Sequence, residues 1–151
     1  MEKSVVSSFD VDHKTLKPGV YLRSEYKIYG SISVKSWDLR FRAPMEKNPL
    51  DPGVVHTIEH LMAYYLRLDE YGDKIIAFCP MGCLTGFYLL TTNDISEEEV
   101  RRLLYRTICE FMPIDTKDDI VGLNEDQCGN PDLYSIVDTN DALFDFLDVL
   151  V

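Results

Sequence analysis

The 151 residues carry 26 acidic against 15 basic side chains, a formal charge of −11, with 46% hydrophobic residues. That balance describes a globular chain about one domain long and excludes nucleic-acid or anionic-membrane partners, which need a basic footprint. The four cysteines are too few and too scattered for a disulfide framework. The start is broken by charge before any signal-type stretch forms, and the most apolar window, residues 75–90, is interrupted by Pro80, Gly82 and Gly86 and is too short to span a bilayer. A cytoplasmic protein of one domain over residues 1–151 is the expectation.

The first third reads as strands. Residues 31–43 place Trp37, Leu39, Phe41 and Ala43 on one face and Asp38, Arg40 and Arg42 on the other. Ile32 and Val34 fall out of phase, which predicts a bulge or turn near Lys35. Asp51 caps a helix with Pro52 in its first turn, running to about Leu68. Residues 74–78 and 84–92 read as buried strands joined by Cys79-Pro80-Met81-Gly82-Cys83. Ser96 and Glu99 form a capping box for a second helix, through Val100, Leu103, Leu104, Ile108 and Phe111, that Pro113 ends. A polar loop over residues 115–130 and a last amphipathic helix over residues 139–151 complete the chain. Strands adjoining in sequence, with helices between and after them, predict an α+β domain with an antiparallel sheet packed against helices.

The first helix carries the chemistry. Val54, Val55, Ile58, Leu61, Met62, Tyr65 and Leu66 cover one arc, while His56, Glu59, His60, Ala63 and Arg67 fall on the opposite one. Two imidazoles one turn apart are the geometry that chelates a divalent metal, and Glu59 beside them can move protons. The alternative is a solvated polar face. Against it, the chain has three histidines in all, two of them here at ligand spacing in an H-x-x-E-H pattern. Cys128, in a loop and followed by Gly129, is the best candidate for a third ligand; His/His/Cys leaves the fourth position open, as a catalytic site needs. Burial as a free thiol is the competing reading, and it fits Cys109, beside Ile108 inside the second helix, better than Cys128. Cys83, at a turn before an apolar strand, reads equally as a packed or a presented thiol, and its C-x₃-C spacing from Cys79 suits neither a structural metal nor a redox pair.

Together, Ser8-Phe9-Asp10-Val11-Asp12-His13, Asp38-Leu39-Arg40-Phe41, His56-Thr57-Ile58-Glu59-His60-Leu61, Pro80-Met81-Gly82-Cys83 with Thr85-Gly86-Phe87-Tyr88, and Asn124-Glu125-Asp126-Gln127-Cys128-Gly129 resemble the S-ribosylhomocysteine lyase (LuxS) family in order and spacing. The resemblance implies a LuxS/metallopeptidase-like fold and one divalent metal per subunit on His56, His60 and Cys128, Fe2+ in the working enzyme and Zn2+ or Co2+ in isolated protein. It implies Glu59 and Cys83 as acid–base groups, and Ser8, His13, Arg40 and Arg67 as substrate contacts. It also implies a homodimer with active sites at the interface, and cleavage of S-ribosylhomocysteine to homocysteine and dihydroxypentanedione, the autoinducer-2 precursor of quorum sensing. The chain departs from the family at Ala77-Phe78-Cys79-Pro80, where members carry Asp-Ile-Ser-Pro, at Leu84 after the cysteine, and at Arg42. The lost carboxylate belongs to recognition of the amino-acid end. Two competing readings follow: a non-catalytic or altered-substrate relative, and an inverted H-x-x-E-H metallopeptidase in which Cys83 has no role.

Overall fold

Gly19–Tyr29 (β1) and Ile32–Arg40 (β2) form an antiparallel hairpin turning at Gly30-Ser31, with Gly30 at φ +56°. The computed structural model describes residues 4–151. In it β2 pairs with Gly86–Thr92 (β4), which pairs with Ile75–Pro80 (β3), so the sheet is wholly antiparallel in the order β1-β2-β4-β3. Three helices, Pro52–Tyr65 (α1), Glu97–Phe111 (α2) and Val137–Leu150 (α3), complete a single α+β domain.

One face of the sheet is apolar and covered. Trp37, Leu39, Phe87 and Leu89 are nearly solvent-free and join Ile58, Leu61, Leu103, Leu104, Leu143 and Phe146 of the helices in one core. The Trp37 indole Nε1 donates to Thr91 Oγ1 at 2.9 Å, which satisfies its single polar atom inside that core. α1 buries the arc through Val54, Val55, Ile58, Leu61 and Met62, as the 3.6-residue period requires.

The structure corrects the expected bulge near Lys35. β2 runs in unbroken register against β4 from Val34↔Thr92 to Arg40↔Gly86. The irregularities lie in β1, where Arg23 is the extra residue between Leu22↔Trp37 and Ser24↔Ser36, and Ile28 between Lys27↔Ser33 and Tyr29↔Ile32. Ile32 and Val34 lie on the outer face with Ser36, Asp38 and Arg40, so the alternation is intact and the outer face itself is partly apolar. Tyr26 and Tyr29, paired with Val34 and Ile32, are more than half exposed there.

The α1 boundary also differs from the pattern. The helix ends at Tyr65 rather than near Leu68, because the chain folds back at once: a Cβ on Gly72 would lie 2.2 Å from the Arg67 carbonyl oxygen. A helix continued through Arg67 could not admit that approach. The capping box at Ser96 forms as expected; Glu99, bonded by the Ser96 backbone and hydroxyl and by the Tyr71 hydroxyl, is held at about 2. Cys109 is exposed on the outer side of α2 rather than buried, since the arc through Leu104, Thr107, Ile108 and Phe111 is the one that packs.

Gly72→Ala forces the backbone at Arg67 to move. It should cost about 2–3 kcal/mol, the upper part of the range for an overpacked site, and lower the Tm by roughly 4–12 °C for a chain this long, measured by thermal unfolding.

Candidate metal centre and thiol site

The candidate residues gather in two clusters that lie on different layers. The first is built on the outward arc of α1. Its start is fixed by Asp51, whose side chain accepts from the Gly53 amide at 2.8 Å. Thr57 donates to the Gly53 carbonyl at 2.8 Å and accepts from the Ser135 amide at 3.1 Å, tying the 131–136 segment to the helix. That tether brings the Leu133 carbonyl to His56 Nδ1 at 2.7 Å, while the Val121 carbonyl meets His60 Nδ1 at 2.9 Å. A carbonyl only accepts, so both Nδ1 atoms hold the proton and both Nε2 atoms present lone pairs.

Those two lone-pair nitrogens stand 3.2 Å apart, with Cys128 Sγ 3.5 Å from His56 Nε2. All three ligand atoms lie within 4.8 Å of one another. Nitrogens at about 2.05 Å and a sulfur at about 2.3 Å from one tetrahedral ion would be separated by about 3.3 Å and 3.6 Å. Facing lone pairs at such distances repel unless a cation lies between them, so the donor set fits a divalent ion. Cys128 is delivered by a turn in which Asn124 Oδ1 accepts from the Asp126 and Gln127 amides, both at 3.1 Å; the Asn130 amide points at its sulfur at 3.4 Å. Glu59 lines the same open depression of about 480 Å3 as His56, His60 and Cys128.

The second cluster sits on the outer face of the sheet. A cavity of about 230 Å3 is lined by Ser8, His13, Arg23, Asp38, Arg40 and Cys83, among others. Asp38 is buried and bridges two guanidiniums: Arg40 donates through Nε at 3.1 Å and Nη2 at 2.7 Å, and Arg23 through Nε at 3.0 Å. Arg40 Nη1 continues to Thr85 Oγ1 at 2.6 Å, and that hydroxyl lies 3.1 Å from Cys83 Sγ. Cys83 is exposed at the Met81–Leu84 turn, where Leu84 takes φ +58°. Burial of the thiol raises its pKa, but the Thr85 hydroxyl and amide and the Arg40 guanidinium outweigh it, and the net direction is down.

The predicted residues therefore divide into two groups. His56, Glu59, His60 and Cys128 meet on the helix; Ser8, His13, Arg40 and Cys83 meet on the sheet; the two cavities share no lining residue. Arg67 lines neither, its guanidinium donating to the Ala63 and Ile76 carbonyls at 2.6 and 3.2 Å. Sequence reading missed Asp38, Thr85 and Arg23. It also missed the two carbonyls that orient the imidazoles and Gly122, at φ +76°, where a Cβ would sit 3.4 Å from His60 Nδ1. Thr85 stands inside a motif quoted above, and its neighbour Cys83 was the available signal; the carbonyls had none.

A family model described as S-ribosylhomocysteinase (LuxS) matches residues 6–149. The chain belongs to the LuxS family. It is 40% identical over 134 residues to the S-ribosylhomocysteine lyase of Clostridium acetobutylicum, covering 86% of this chain and 80% of the relative. The lyase of Clostridium beijerinckii is 37% identical, covering 86% and 79%, and that of Phocaeicola vulgatus 36%, covering 87% and 80%. LuxS proteins depend on a metal, and the His56-His60-Cys128 group could hold one.

Cys128→Ser should lose stoichiometric metal by elemental analysis while retaining the native circular dichroism. Gly122→Ala, which strains a positive-φ backbone position beside the His60 ring, should weaken cobalt binding by about 10–100-fold, the cost typical of disturbing a ligand's support.

Proposed function

We propose that this protein cleaves the thioether of S-ribosylhomocysteine, releasing homocysteine and dihydroxypentanedione, with one Fe2+ per subunit on His56, His60 and Cys128. The observation that carries the reading is the pairing of an open His/His/Cys centre with an activated thiol, Cys83, in a chain of this family. An ion held there supplies Lewis-acid stabilisation of negative charge developing on sugar oxygens.

The remaining work falls to side chains. The opened sugar carries its carbonyl at C1. Moving it to C2 and then C3 requires a proton taken from one carbon and returned to its neighbour, twice, by groups placed on the reacting chain. Cys83, held toward the thiolate, and Glu59 are assigned these transfers. With the carbonyl at C3, removal of the C4 proton expels the sulfur from C5 as homocysteine thiolate. Ser8, His13 and Arg40 line the Cys83 cavity and are assigned the ribose hydroxyls. Arg67, just beyond the end of α1, is assigned a contact at the rim.

Cys83 and Glu59 belong to different cavities of one chain, so the mechanism calls for a homodimer in which the sheet-face cluster of one subunit closes over the α1 centre of its partner. The outer sheet face, with exposed Tyr26, Tyr29 and Ile32, offers the apolar surface such a partner would cover. No helix among the described residues is long and apolar enough to cross a membrane. The cytoplasm is the compartment we assign, because its reducing conditions suit four free cysteines.

An altered-substrate relative is the second reading, and one observation favours it. The outer-face cavity of about 700 Å3 beside Cys79 and Leu90, the register partner of Ala77, has Arg23 as its one charged residue and no carboxylate among the described residues. Weaker holding of the substrate ammonium would then appear in KM. A peptidase leaves the Arg40–Thr85–Cys83 arrangement without a task.

Iron- or cobalt-loaded protein offered S-ribosylhomocysteine should release free thiol, while Cys83→Ala and Glu59→Gln should bind metal yet lose more than about a hundredfold in kcat, the scale of general acid–base catalysis. Peptide cleavage without thiol release would decide for the peptidase, and metal binding with neither activity for the inactive relative. Mixing the two inactive variants in equal amounts should restore about a quarter of wild-type activity, because half the dimers are mixed and each has one intact shared site. No restoration would place both groups in one subunit's site.

A further inference from the structure

We propose that Thr85 is a positioning residue for Cys83: its hydroxyl, oriented by Arg40, donates a hydrogen bond to the sulfur and holds it in the proton-accepting form. The proposal rests on the lyase reading only for its consequence, the readiness of Cys83 to take a proton.

The direction of the hydroxyl proton follows from its neighbours. Arg40 Nη1 has only protons to give, and it lies 2.6 Å from Thr85 Oγ1. One oxygen lone pair is therefore engaged by the guanidinium, and the hydroxyl proton is turned away from it. Cys83 Sγ, 3.1 Å from the same oxygen, is the acceptor it meets. Arg40 itself stands 3.8 Å from the sulfur through Nη1, so most of its influence arrives through the hydroxyl and through space. A donor already bonded to a cation is a stronger donor, and a bond to a charged acceptor is the stronger kind.

The arrangement has little freedom. Thr85 is buried, its carbonyl accepts the Phe41 and Arg42 amides at 3.0 Å each, and Asp38 grips Arg40 through two contacts while also holding Arg23. Arg40 and Arg23 against Asp38 leave an excess positive charge beside the thiol, which favours the same form. The other titratable or charged groups bordering Cys83 are His13 of the N-terminal segment, Tyr88 of β4 and Lys47 of the loop before α1. None of them intervenes between Thr85 and the sulfur in the hydrogen bonds observed. The physical direction agrees: the thiol is held below its ordinary range although burial pushes it up.

The test needs no substrate. Metal-loaded protein is treated with iodoacetamide over a range of pH, and alkylation of the Cys83 peptide is followed by mass spectrometry, which separates it from Cys79, Cys109 and Cys128. Thr85→Val keeps the shape and the backbone amide and removes the hydroxyl. Its Cys83 alkylation at pH 7 should slow by about tenfold, the scale of one hydrogen bond to a charged group, with the profile displaced to higher pH. Thr85→Ser should restore the wild-type profile to within about twofold. Thr85→Ala, which adds no methyl branch near Arg40, is read beside Thr85→Val so that misfolding of one does not decide the result. In thiol release from S-ribosylhomocysteine, the hydroxyl-free variants should lose kcat with KM held. A wild-type alkylation profile in either folded hydroxyl-free variant, or a serine variant as slow as valine, overturns the proposal. No thiol release from S-ribosylhomocysteine by the wild-type protein, with the alkylation shift intact, would overturn the substrate assignment instead.

Discussion

Burial of one arc of α1 against the sheet is the constraint from which the positions of both chemical clusters follow. With Val54, Ile58, Leu61 and Met62 packed in the core, the 100° step per residue leaves His56, Glu59 and His60 on the side away from the sheet. The same core takes Trp37, Leu39, Phe87 and Leu89 from the sheet, and the two-residue period then puts Asp38, Arg40 and Tyr88 on the outer face. One hydrophobic contact thus orients two functional surfaces in opposite directions. That explains why the metal centre and the thiol do not share a cavity.

Rigidity at each cluster comes from different sources. At the metal centre it comes from backbone: two carbonyls fix the imidazole tautomers, and a turn built around Asn124 delivers Cys128. Such supports are insensitive to the identity of Leu133 and Val121, provided the loop path is kept. At the thiol site rigidity comes from charge. A buried carboxylate is costly unless its oxygens are fully engaged, and Asp38 meets that condition only with both arginines present. Losing either arginine leaves the carboxylate short of a partner, so Arg23, which makes no hydrogen bond to the thiol, is coupled to the geometry around it. Its own Nη2 is buried without a partner, which marks the bulge at Arg23 as a place where the strand gives up regularity to bring a second cation inside.

Much of this was legible in the sequence. The helix arc, its Asp51 cap and the Ser96–Glu99 box follow from periodicity and capping chemistry, and an antiparallel sheet from strands adjoining in sequence; the structure has them. Pairing His56 and His60 with Cys128 needed only the ligand chemistry and the scarcity of histidine. What was not legible depends on neighbours distant in sequence. Ile32 and Val34 suggested a bulge in the wrong strand because an apolar residue on an outer face looks the same as a slipped register. Cys109 was placed inside because an adjacent Ile108 gives no hint that the next residue has rotated out. Thr85 was quoted in a motif but not singled out, because its hydrogen bond is to Arg40, forty-five positions away.

The charge of the chain and the charge of its thiol site point in opposite directions, and the local one decides the chemistry. A formal −11 would, as a uniform field, disfavour a thiolate. Most of those carboxylates are exposed, and at physiological salt their influence fades over about 8 Å. Arg40 and Thr85 act within hydrogen-bonding distance, in a partly desolvated cleft where Coulomb and dipole terms are larger. Thr85 and Arg40, the latter gripped by buried Asp38, therefore lower the pKa of Cys83 in spite of the acidic surface. Because Asp38 offsets only one of the two arginines it binds, the cavity keeps its positive character beside the thiol.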